Sequence, residues 1–150
     1  MVLTDEPSSD VVIDVVSNDS GEATVSASSL TFTSSNWDSP QTVTVTGIND
    51  DVDDGNQTST VTLSVNDGAS DDDYDSLADQ TVSVTTTDDD TAGFTLSGTT
   101  ASVSETGTTA TFTVVLDSEP TGNVVFALSS ADTGETTVSP SELTLSLIHI

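Results

Sequence analysis

Valine and leucine alternate with threonine and serine along most of this chain. The alternation is strict over residues 42–46, 60–65 and 81–85, and it returns over 93–96, 101–104, 110–116 and 124–128. A period of two places every second side chain on one face, so each segment reads as a half-buried strand. Gly, Pro, Asn, Asp and Ser, the residues that make turns, lie between them. No segment shows a helical period with caps. Short strands at this spacing predict an all-β fold, an antiparallel immunoglobulin-like β-sandwich.

The chain also repeats itself. Val2-Leu3 followed by Glu6-Pro7 returns as Val115-Leu116 followed by Glu119-Pro120. Val11-Val12 returns as Val124-Val125, Gly21-Glu22 as Gly134-Glu135, and Leu30-Thr31 as Leu143-Thr144. The offset is about 113 residues without a gap, the length of one small domain rather than of a solenoid coil. Tandem repeats are therefore expected, with two incomplete copies in view. Residues 1–87 read as the later part of one repeat, 88–92 as an acidic junction and 93–146 as the opening of the next. Met1 stands at the place of Val114, inside a strand, so the chain is expected to be a fragment. The end of the chain, Leu147-Ile148-His149-Ile150, abandons the alternation and reads as an artefactual tail.

Composition narrows the function. Asp and Glu number 26, Lys and Arg are absent, and the formal net charge is −26. Nucleic acid is excluded as a partner, because phosphate binding relies on Lys and Arg. Anionic membrane surfaces are excluded for the same reason, and no stretch has the apolar length of a membrane span. High charge with four Phe, one Trp and one Tyr would suit a disordered chain, but the alternation of apolar positions argues for strands. There is no cysteine, hence neither a disulfide nor a thiolate metal site.

The acidic residues cluster. Asn49-Asp50-Asp51-Val52-Asp53-Asp54-Gly55 lies between two strands, Asp71-Asp72-Asp73-Tyr74-Asp75 in the next loop, and Asp88-Asp89-Asp90 after the last strand of the unit. Glu105 ends a short strand soon afterwards. Two carboxylates about 4 Å apart repel by roughly 4 kcal/mol at an effective dielectric near 20. Without Lys or Arg, only cations, protons or water relieve that. Calcium suits such oxygen-rich loops, since it accepts carboxylates, backbone carbonyls and water in flexible geometry. Magnesium shares the preference for oxygen. Zinc, copper and iron would look for His or Cys, and the single His149 lies in the tail. The plainer reading of the first and third clusters is a solvated acidic turn, and for Asp71–Asp75 that reading is preferred.

The run Leu30-Thr31-Phe32, Gln41-Thr42-Val43-Thr44-Val45, Asp50-Asp51-Val52-Asp53-Asp54-Gly55-Asn56-Gln57, Val61-Thr62-Leu63, Val82-Ser83-Val84 and Asp88-Asp89-Asp90 resembles a Calx-beta repeat. That module is found in sodium–calcium exchanger regulatory loops and in large bacterial surface proteins and adhesins. The resemblance covers most of 24–90 and, more weakly, 93–128. It implies Asp50 and Asp51 as carboxylate ligands of Ca2+, Val52 as a carbonyl ligand, Asp88, Asp89 and Asp90 as closing ligands, and Glu105 as the early-strand glutamate of the second copy. Asp53-Asp54 stand where the family usually carries Glu.

The expected function is a calcium-binding structural repeat of an extracellular, secreted or cell-surface adhesin, stiffening a stalk. Its partners would be neighbouring repeats of the same chain, with a cell-surface or glycan ligand beyond them. A recognition module binding carbohydrate, ice or a host protein through its strand faces is the alternative. Threonine rows are ordinary on the wet face of a sheet, and Trp37 reads as a core or edge anchor before a sugar platform. No enzyme is expected: nucleophilic catalysis needs a base beside a serine, and paired carboxylates need a cleft.

Overall fold

The computed structural model describes residues 1–146; the expected tail, 147–150, lies outside the described residues. Among the described residues ten strands form in chain order: β1 (Val11–Ser17), β2 (Ala23–Val25), β3 (Ser29–Phe32), β4 (Val45–Gly47), β5 (Gln57–Val65), β6 (Gln80–Thr86), β7 (Phe94–Leu96), β8 (Val114–Leu116), β9 (Val124–Ala127) and β10 (Glu142–Leu145). The only helical elements among the described residues are single 3₁₀ turns at Asp67–Ala69 and Asp72–Tyr74. All strand pairing is antiparallel. The fold is all-β. Contacts divide the chain into two compact units, one of Met1–Asn49 with Asn56–Asp88, the other of Asp50–Gly55 with the residues from Asp89 onward.

The first unit is built on a four-stranded sheet in the order β3-β1-β5-β6 and a two-stranded sheet of β2 and β4. Its central strand, β1, is not among the strictly alternating segments of the sequence, because Val11-Val12-Ile13-Asp14-Val15-Val16 is apolar on both faces. One face is nonetheless the inside: Val11, Ile13 and Val15 are 0–3 % exposed, whereas Val16 on the other face is 57 % exposed. With Leu3, Leu30, Phe32 and Val61 they make the buried core, and Val25, Trp37 and Val45 pack against it. Burying side chains of this size contributes roughly 1.5–3 kcal/mol each. Trp37 is half-buried at the core margin, and its carbonyl accepts the Leu3 N–H at 3.0 Å.

Strand β4 is shorter than the alternation over 42–46 predicts. The Thr44 N–H is taken by the Ser26 side chain at 2.9 Å rather than by a backbone carbonyl, so the regular ladder with β2 opens only at Val45.

The second unit contains two hairpin-like pairs, β7 with β8 and β9 with β10. Residues 101–104, predicted as a strand, make no ladder, and of 110–116 only Val114–Leu116 does. Gly107, at φ +85°, turns the chain there, and Ser104 is bound by Thr106 and Thr108 instead of a strand partner.

The two units share detail beyond strand type. In β1–β3, Asp14 faces Ser29 and Val11 faces Phe32; in β9–β10, Ala127 faces Glu142 and Val124 faces Leu145, every position 113 residues further on. The turns agree as well. Ser17 Oγ donates to the Asp19 carbonyl at 3.0 Å and Gly21 N–H to Asp19 Oδ1 at 3.0 Å. Ser130, Asp132 and Gly134 make the same two bonds at 2.9 and 3.0 Å. The Ala23 N–H bond to the Asp19 carbonyl likewise has its counterpart in Thr136 and Asp132, both at 3.0 Å.

Candidate cation-binding loops

Residues 50–55 leave the unit that their neighbours belong to and count with the second. The loop is closed on itself by local bonds. Asp50 Oδ1 accepts the Val52 N–H at 2.9 Å, the turn that an aspartate forms with the amide two residues on. The Val52 carbonyl, an expected ligand, accepts the Asp54 N–H at 3.0 Å. Gly55 then takes φ +76°, where a side chain would be strained. Two bonds tie the loop within its unit: Asp53 Oδ2 accepts the Ala92 N–H at 2.6 Å, and the Asp51 carbonyl accepts the Glu119 N–H at 2.6 Å.

The other expected ligands are dispersed. Asp88 belongs to the first unit, its N–H bonded to Asn56 Oδ1 at 3.0 Å. Asp89 is exposed and Asp90 half-buried at the start of the second unit. Glu105 is exposed in the turn that ends at Gly107, not at the end of a strand. The loop 50–55 is thus brought to the segment just after Asp89-Asp90, through Asp53 and Ala92, while Glu105 is joined to neither by any bond described. Among the described residues no three His, Asp or Glu side chains stand close enough to hold a metal ion, so these residues make no preformed cage.

The most firmly held carboxylate is one for which a solvated loop was expected. Asp71 is 5 % exposed. Its Oδ2 accepts Ser8 N–H at 2.7 Å, Ser8 Oγ–H at 2.8 Å and Ser9 N–H at 3.0 Å, and its Oδ1 accepts Asp73 N–H at 3.1 Å. Hydrogen bonds from the Asp73 amide, the Ser8 hydroxyl and the Ser9 amide lower its pKa to about 2. Beside it, Ser70 Oγ accepts the Val12 N–H at 2.9 Å and donates to the Val12 carbonyl at 3.1 Å, standing in for a strand partner. The 70–75 loop is therefore an anchor for the segment leading into β1, which corrects its reading as a loop tip. Ser8-Ser9 carries no motif by which this could have been seen from sequence.

Asp75, four residues on, has the opposite character. Burial raises its pKa first, and the negative charges of Asp67, Asp72 and Asp71 raise it further. Its Oδ1 is buried without a hydrogen-bond partner. A raised carboxyl pKa means that ionisation opposes folding as pH climbs through and above the ordinary value of 3.8. Asp75→Asn is accordingly expected to raise the melting midpoint by a few degrees at pH 7 and by less at pH 4. A variant less stable than wild type at pH 7 would show that the carboxylate is needed.

Burial also raises the pKa of Tyr74, with Asp5, Asp71 and Asp73 adding to it; its hydroxyl donates to the Asp5 carbonyl at 2.8 Å.

Comparison of the chain with protein-family models, with curated proteins and with solved structures gives no match in any of the three.

Proposed function

We propose that this chain is part of a calcium-binding structural module, a tandemly repeated β-sandwich of the immunoglobulin-like type, in the stalk of an extracellular or cell-surface adhesin-type protein. The observation that carries the reading is the displacement by 113 residues of one hairpin register and one turn, down to the side-chain bonds of Ser17 and Ser130. Repetition at that level favours a spacer built of like units over a catalyst, whose site would need to be unique. The Calx-beta resemblance belongs to the same proposal.

Calcium enters through charge rather than through a formed cage. The chain carries 26 acidic residues and neither Lys nor Arg, so its counter-charge comes from solution. Asp50, Asp51, Asp53 and Asp54, with Asp89 and Asp90, are the residues of one unit that would take the ion, the loop shifting to meet it. Extracellular calcium modules bind at about 10⁻⁴–10⁻³ M, and a hundredfold excess over the dissociation constant adds about 2.7 kcal/mol of stability.

The test is a thermal melt of the chain in millimolar calcium, in chelator and in magnesium. A calcium-specific rise of about 10 °C or more is expected. It should shrink when Asp50 and Asp51 are both replaced by Asn. Equal midpoints in calcium and chelator would remove the ion from the proposal and return these loops to solvated turns.

A further inference from the structure

In the first unit Val11, Ile13, Leu30 and Phe32 are 0–7 % exposed. Their counterparts 113 residues on, Val124, Phe126, Leu143 and Leu145, are all only half-buried. The difference is not in the hairpin, whose register is the same. It lies in what covers the hairpin: β1 is bonded on its second edge by β5, with Ile13 facing Val65 and Val15 facing Leu63. Among the described residues, strand β9 has a hydrogen-bonded strand neighbour on one side only, β10.

The backbone of β9 is set for a second neighbour. Leu128 N–H bonds to the Ser141 carbonyl at 2.9 Å, as Val15 N–H bonds to the Ser28 carbonyl at 2.8 Å. Alternation along an antiparallel strand then turns the N–H and C=O groups of Val125 and Ala127 to the opposite edge. Beside this strand lies a cleft of about 620 Å³ floored by Phe94, Leu116, Val124 and Phe126, with the rings of Phe94 and Phe126 edge to face at 5.0 Å. A strand that has an open edge and carries half-buried apolar side chains over a cleft is a site for β-strand addition.

We propose that this cleft is the unclosed core of the second unit, and that its occupant is a hairpin with the sequence of Gln57–Thr86, the β5–β6 pair, carried by the remainder of the same repeat. The first unit dictates the register. Val65 of the incoming strand faces Phe126, Ser64 faces Ala127 and Leu63 faces Leu128, which repeats the pairing of β5 with Ile13, Asp14 and Val15. Val61, Leu63 and Val65 of β5, the first at 2 % exposure in its own unit, supply the apolar side chains that close the floor. The cleft is then a seam between parts of one repeat, not a pocket for a small molecule. The inference rests on the repeat reading above and is independent of calcium.

The experiment adds a synthetic peptide of residues 57–86 to the ¹⁵N-labelled chain, in salt of about 0.15 M so that the Debye length falls to about 8 Å and acidic repulsion is screened. Hydrogen exchange at Val125 and Ala127 is expected to slow by roughly tenfold or more, and a peptide carrying Leu63→Asp and Val65→Asp is expected to leave it unchanged. Because a hairpin alone is marginally stable, a second arm continues the chain from Leu145 with the sequence of residues 33–88. The same two amides should be protected there without added peptide. If neither arm protects Val125 and Ala127, the proposal is overturned. Protection in the unextended chain that grows with concentration, with dimers in sedimentation, would make a second copy the occupant and overturn the assignment to the remainder of the same repeat. A calcium-insensitive melt alongside protected amides would sink the ion and leave the seam.

Discussion

Phe32→Ala is expected to cost the first unit about 3–5 kcal/mol, a large part of the stability of a domain this small. Phe32 is fully buried, at the end of β3 and opposite Val11, and its loss leaves a cavity among side chains that β1 and β5 hold in place. Leu145→Ala, at the matching place in the second unit, should cost no more than about 1 kcal/mol, because a half-exposed side chain has less area to return to water. The chain supplies its own reporter. Trp37 is the one tryptophan, and it packs against the core of the first unit. Its emission during urea unfolding should shift to much lower denaturant in Phe32→Ala and stay put in Leu145→Ala. Equal shifts in both variants would mean that the two units unfold together, and would overturn the expectation.

Asp71→Ala should lower the Trp37 midpoint by about 10 °C at pH 7, since it strands the amides of Ser8 and Ser9 that its carboxylate accepts. The pH dependence gives the sharper test. The Asp71 pKa is depressed to about 2 from 3.8, so its contribution is fully present above pH 4 and disappears as pH falls towards 2. The net charge of the chain also changes with pH and acts on both proteins alike, so the quantity to follow is the difference between wild type and Asp71→Asn. That gap should be widest at neutral pH and close below pH 3. Parallel curves down to pH 2 would show that Asp71 holds nothing.

Strands β5 and β6 were legible because their alternation is strict and one face of each is wet. Strand β9 was legible from the alternation over 124–128, whereas β10 was marked only by the match of Leu143-Thr144 to Leu30-Thr31. Strand β1 was harder, because a strand flanked on both edges and apolar on both faces loses the period that marks it. The acidic loop at 50–55 could be placed between strands by its composition. Its bond from Asp53 to Ala92 could not, because the partners are 39 residues apart and neither belongs to a periodic pattern. Asp71 was misread for the same reason, with Ser8 lying 63 residues away. Local chemistry marks where a carboxylate sits in a loop; which amides it meets is decided by strands that bring remote segments together.

The turn from Ser17 to Ala23 draws every bond named above from within seven consecutive residues, and its counterpart at Ser130 does likewise. Such local bonds can form before Asn18 meets Thr60 and Glu22 meets Ile48 and Thr86, and β3 is then expected to join β1 over a loop closed cheaply in entropy. Strand β5 arrives later, onto a hairpin whose register is already set. In the proposed array of like units this order would matter, because a late strand that meets a preformed hairpin nearby has less chance to pair with the wrong copy. The serine–aspartate–glycine turn is therefore a timing device for synthesis as much as a bend in the finished fold.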